Sequence, residues 1–152
     1  MNISLAAEPL FHIGTFPVTN TLIMAVLVVA LLAVIALRTR RVLAVIPHGI
    51  GNAIETVVEQ ILLFMDSVTH DRAKSERFLP VVATIFLFVI VSNWIELVPG
   101  LGTIGFYELH HGEEILVPFI RSASADLNVT LAVALFSVIA TQIMGMRELG
   151  VA

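Results

Sequence analysis

The stretch FLPVVATIFLFVIVSNWIELVPG, Phe78 to Gly100, decides the fold. From Phe78 to Ile95 it carries no charge, and a helix rising about 1.5 Å per residue over that length crosses most of a roughly 30 Å hydrocarbon core. Pro80 falls in the expected first turn, where a missing N–H does least harm. Glu96 then follows, close to the end of an otherwise apolar segment. A carboxylate at that depth is costly unless it has a partner or a function. Two readings are open: a helix-end carboxylate reaching back to the interface, or a proton-accessible carboxylate in a water-filled cavity. Asn93 lies one helical turn earlier on the same face, which favours the second.

The rest of the chain extends the membrane reading. Of 152 residues, 58% are hydrophobic and only 13% charged. A soluble domain is nearer 25% charged. Val18–Leu37 and Leu127–Met146 are also free of charge. The expected spans are therefore about 18–37, 78–98 and 127–146, in a single membrane domain over 1–152. The last span is dotted with Asn128, Thr130, Ser137, Thr141 and Gln142, so it reads as packed against protein or lining a wet path. Net charge is −4 and cysteine is absent. That removes a nucleic-acid footprint, disulfides and thiolate chemistry. The N-terminal MNISLAAEPLFHIG lacks the basic start of a secretory signal, and none is expected.

His48–Val68 has a different pattern. Ile50, Ile54, Val57, Val58, Ile61, Met65 and Val68 recur at helical spacing, opposite Asn52, Glu55, Thr56, Glu59 and Asp66. This predicts an amphipathic helix over about 48–68, lying along the membrane surface. Its polar face is acidic, so water or a protein partner, rather than anionic lipid, is expected there. The fold class is thus an all-α integral membrane protein with three transmembrane helices and one amphipathic interfacial helix. Arg38, Arg40, Arg41, Arg72, Lys74, Arg77 and Arg147 fall on one side of the spans, and Arg121 on the other. The positive-inside rule then places the N-terminus outside, in a multi-pass topology, with the 99–121 loop also outside.

RSASADLNVT, Arg121–Thr130, opens the third span. Asp126 suits a helix N-cap. Ser124 and Asn128 suit packing. Yet Asn93, Glu96, Ser124, Asp126 and Asn128 all fall at the outer ends of two successive spans, which resembles an aqueous inlet. Arg121 is the one base on that side and a possible ion-pair partner for Asp126 or Glu96. ELHHGEE, Glu108–Glu114, is a weak metal pattern, and no metal or cofactor is expected. PGLGTIG, Pro99–Gly105, reads as a turn rather than a phosphate loop. No nucleotide-binding or hydrolase motif is present, so no catalytic residue is assigned. A small membrane scaffold whose polar residues serve helix association is the alternative.

The phrases FHIGTFPVTNTL, FLPVVATIFLFVIVSNWIELVPG and RSASADLNVTLAVAL occur in order along nearly the whole chain. In this arrangement the chain resembles subunit a of the bacterial F-type ATP synthase, and SADLNVTL is the most specific part. The resemblance implies a non-catalytic stator subunit in the bacterial plasma membrane, facing the c ring and the peripheral-stalk b subunits. It implies that Asn93, Glu96, Ser124, Asp126 and Asn128 line the half-channel that admits protons from outside, with Arg121 matching a base found in some members. The family's essential arginine lies on a later helix. No Arg or Lys lies inside an apolar segment here, so the chain is expected to be an N-terminal part of such a subunit, truncated before that helix.

Overall fold

The computed structural model describes residues 7–42, 49–110 and 113–150. Four helices dominate: α1 (Asn20–Val42), α2 (Ile50–Thr69), α3 (Arg72–Glu96) and α4 (Leu127–Leu149). By length and composition α1, α3 and α4 are long and apolar enough to cross a membrane. Large apolar side chains such as Val26, Val29, Leu135, Phe136 and Ile139 lie exposed along them. Such surface is unfavourable in water and natural against lipid. The helical membrane architecture is therefore the expected one, with one amphipathic helix. Residue 48, the expected start of that helix, lies outside the described residues.

Two antiparallel hairpins add to it. β1 (Pro9–Ile13) pairs with β2 (Phe16–Thr19), and β3 (Gly105–His110) pairs with β4 (Glu113–Pro118). Gly14 supplies the positive φ of 65° at the first turn position between Ile13 and Phe16, where a hairpin turn favours glycine. PGLGTIG is a turn followed by a short 3₁₀ segment, Leu101–Thr103, and Gly105 opens β3. The alternation of GFYEL against EILVP was present in the segment read as a loop.

α3 begins earlier than the apolar run. Its basic first turns, from Arg72, are helical, so Pro80 lies inside the helix and not in its first turn. Asp71 causes this: its Oδ1 accepts the backbone N–H of Ala73 at 3.0 Å and Lys74 at 3.4 Å, capping the helix well before Phe78. α2 ends one step before, with His70 left-handed and its N–H on the Asp66 carbonyl at 2.9 Å.

The chain divides into two compact units, residues 1–29 with 89–152, and residues 30–88. The first holds both hairpins, the start of α1, the end of α3 and all of α4. Its core includes Val18, Met24, Val28, Val117 and Ala123. The second holds the end of α1, α2 and the start of α3. Within it, α2 turns Leu62 and Met65 inward. Val57 and Val68, also on the apolar face read from the sequence, are exposed beside Phe64. α2 thus has three stripes: an inner one on Ile54, Val58, Leu62 and Met65, an exposed apolar one, and the acidic one. The α2–α3 corner is closed by Arg72, whose Nη1 lies 2.8 Å from Asp66 and whose Nε lies 3.0 Å from Glu76.

Two outcomes follow from this packing. A Cβ on Gly105 would meet the Val117 carbonyl and sit 2.8 Å from Pro118 Cα. Gly105→Ala should therefore destabilise the protein by about 1–3 kcal/mol, while Gly102→Ala, in open space, should stay within about 0.5 kcal/mol; thermal melts in detergent compare them. At the corner, the Ser75 hydroxyl and the Arg72 guanidinium hold the Asp66 carboxyl below its ordinary range. A depressed carboxylate contributes stability above its unfolded pKa, and that contribution is lost as pH falls through the folded value. Proteolytic nicking at the corner should rise below about pH 4. Asp66→Asn should remove that pH step.

Candidate functional site

The polar residues of the first unit gather where α1 and α4 begin and α3 ends. Thr19 caps α1: its Oγ1 accepts the Leu22 N–H at 3.2 Å. Asn20 and Thr21 follow and are almost wholly buried, at 0% and 1% exposure. Buried polar groups of this kind need partners. Asn20 Nδ2 donates to the Pro118 carbonyl at 3.1 Å, tying α1 to the end of β4, and Asn20 Oδ1 accepts the Thr21 N–H at 2.9 Å. Thr21 Oγ1 donates to Asp126 Oδ2 at 3.0 Å, across 105 positions of sequence.

Asp126 is the N-cap of α4, as its sequence position suggested. Its Oδ1 accepts from the Asn128 N–H at 2.9 Å and from Asn128 Nδ2 at 3.2 Å. The carboxylate is 5% exposed. Every group donating to it among the described residues is neutral, so two hydroxyl- or amide-type contacts and a helix N-terminus hold a buried acid.

A second set lies beside the end of α3. Ser122 Oγ donates to Asn93 Oδ1 at 3.1 Å, Ser124 Oγ also donates to Asn93 Oδ1, and the two hydroxyls are 2.8 Å apart. Ser122 is buried and Asn93 faces outward. Ser92, next to Asn93, is buried with its Oγ lacking a hydrogen-bond partner among the described residues. Such a hydroxyl costs about 1–3 kcal/mol unless water reaches it.

The structure thus brings Asn93 together with Ser124, and Asp126 with Asn128. Glu96, the last residue of α3, is exposed and joins neither set through a hydrogen bond. Arg121 is half-buried on the segment between β4 and the 3₁₀ turn Ala123–Ala125. Reading the sequence missed Asn20, Thr21, Ser92 and Ser122. The available signal was the run VTNT at the N-terminal end of the first span. Glu108–His110 and Glu113–Glu114 of ELHHGEE fall on β3 and β4, whereas residues 111 and 112 lie outside the described residues. Among the described residues no three His, Cys, Asp or Glu side chains cluster as metal ligands.

The hydroxyls of α4 turn back on their own helix. Thr130 Oγ1 donates to the Asp126 carbonyl at 2.6 Å, Ser137 Oγ to Val133 at 2.8 Å and Thr141 Oγ1 to Ser137 at 2.7 Å. These groups are satisfied without a neighbouring helix, a local pattern that serine and threonine adopt readily.

The family model described as ATP synthase A chain matches residues 19–152. The ATP synthase subunit a of Moorella thermoacetica is 29% identical over 142 residues, covering 93% of this chain and 55% of the relative. That of Trichlorobacter lovleyi is 29% identical over 148 residues, covering 97% and 55%. That of Mycobacterium ulcerans is 30% identical over 139 residues, covering 91% and 52%. The chain spans about half the length of the curated relatives it matches. With a family match over all but its first residues, three helices fit to cross a membrane and the polar junction at their ends, the chain belongs to the ATP synthase A chain family.

Proposed function

We propose that the chain is part of the membrane stator of a proton-translocating F-type ATP synthase and forms a wall of its outer proton half-channel, beside the c ring. The observation that carries this reading is the buried Asp126 carboxylate. It sits at the start of a membrane-fit helix, accepts from Thr21 and Asn128 among the described residues, and lies in the same unit as the Asn93, Ser122 and Ser124 set. An intramembrane acid in a polar junction is a proton-relay position by default. Glu96, exposed one turn beyond Asn93, would accept protons at the mouth. Asp126 would pass them inward, with Thr21 and Asn128 keeping its carboxylate oriented. The unpartnered Ser92 hydroxyl supplies a place for relay water.

Catalysis would lie in other subunits. The acidic stripe of α2, with Glu55 and Glu59, would face the peripheral-stalk b subunits. Arg38, Arg40, Arg72 and Lys74, at one end of α1 and α3, support a topology with that end cytoplasmic and the N-terminus outside, in a bacterial plasma membrane. The scaffold alternative asks the polar residues to join helices; Thr130, Ser137 and Thr141 do not, since each bonds within its own helix.

The test is ATP-driven proton pumping in membrane vesicles holding the assembled enzyme. Glu96→Gln combined with Asp126→Asn should slow pumping several-fold while assembly, followed by subunit content, stays intact. Pumping at the parental rate in an assembled enzyme removes both residues from the path. Thr21→Val, which removes the hydroxyl that donates to Asp126, should slow pumping less than Asp126→Asn, and Thr21→Ser should restore it.

A further inference from the structure

The second unit contains a cleft that the proton path does not use. Its volume is about 480 Å³, and its walls come from α1 (Leu32, Ala36), α2 (Ile54, Val58) and α3 (Ala83, Leu87). Thr39 and Arg40 lie at the α1 end of the wall, and Leu79 and Pro80 at the start of α3. From Leu32 to Arg40 the cleft follows two turns of helix, about 12 Å. Its lining is almost wholly apolar. Water filling it would lack hydrogen-bond partners, so a polar occupant is excluded from most of its length. Arg40 is exposed and takes no part in the ion pairs of the α2–α3 corner, which join Arg72 to Asp66 and Glu76 and Lys74 to Asp71.

From this we infer that the cleft is a binding site for one anionic glycerophospholipid, with an acyl chain along Leu32, Ala83 and Leu87 and the phosphate on Arg40. Three observations select this occupant. α1 and α3 are the walls and are both fit to cross a membrane, so the cleft opens onto acyl chains. The base stands at the end of the cleft where α1 leaves its apolar run, the depth of a headgroup, and basic pockets between membrane helices at that level take anionic headgroups. The lining also matches: it is almost wholly apolar along its length, as an acyl chain needs, and Arg40 is the one charged side chain in its wall. The acids of α2 point elsewhere: Ile54 and Val58 line the cleft, while Glu55 and Glu59 lie on another stripe. The site is independent of the proton path proposed above.

The experiment uses the protein purified in mild detergent with its natural partners, delipidated, and re-exposed to dioleoylphosphatidylglycerol or dioleoylphosphatidylcholine. Bound lipid is counted by native mass spectrometry. The parent protein should retain one more phosphatidylglycerol than Arg40→Ala, and phosphatidylcholine should be retained several-fold less. Ala83→Trp, which fills the cleft, should lose the same lipid; Arg38→Ala should keep it. A melt shows whether Ala83→Trp is folded, and Arg40→Ala, a change at an exposed side chain, carries the test if it is not. Equal retention by the parent and Arg40→Ala overturns the site. So does a photoreactive group at position 83 that joins polypeptide in place of lipid, since a protein segment then fills the cleft.

Discussion

The hydrogen bond from Thr21 to Asp126 is the tie on which the first unit depends. It joins the first turn of α1 to the cap of α4, elements separated by almost the whole chain. In lipid, helices gain little by burying apolar surface against one another, because the tails are as apolar as leucine. Specific polar contacts and close packing must set their arrangement. Here the polar contacts are concentrated at one end: Thr21 on Asp126, Asn20 on the Pro118 carbonyl, and Ser122 and Ser124 on Asn93. The bodies of the helices are left apolar and largely exposed. A single polar junction can therefore position three helix ends without burdening the spans with groups that lipid would penalise.

The hairpins serve the same junction. β2 runs directly into α1, so Thr19 can end a strand and cap a helix at once. β4 brings the Pro118 carbonyl to Asn20. Close pairing of Gly105 with Pro118 lets β3 and β4 approach where no Cβ fits, and Phe106 and Phe119 stack at a tilt 5.9 Å apart. Irregular backbone near a membrane surface needs its N–H and C=O groups paired, and short antiparallel ladders do this within a few residues.

The spans and the amphipathic helix were legible because charge-free length and helical periodicity are properties of one segment. Asp126 as a cap was legible for the same reason. What escaped was non-local. Thr21 and Asn20 looked like ordinary polar residues at a helix start, and only the fold shows that they reach residues 126 and 118. Ser122 was passed over for Ser124, although both converge on Asn93, because spacing along a loop carries no period. The early start of α3 escaped since an apolar run marks where lipid begins, whereas Asp71 marks where the helix begins. On α2 the apolar face was read without Leu62, because whether Val57 or Leu62 faces inward depends on what α1 and α3 place beside it.

The partners of Asp126 also bear on the relay role proposed for it. A buried carboxylate paired with a guanidinium is held charged, because taking a proton would leave the buried cation without its partner. A carboxylate held by a hydroxyl and an amide meets a smaller penalty in either state: Thr21 can donate to the anion or turn its hydroxyl to accept from the acid, and the amide of Asn128 offers both a donor and an acceptor. Neutral partners that can reverse their roles suit the relay proposed above, and Thr21 and Asn128, which donate to Asp126 among the described residues, are of that kind.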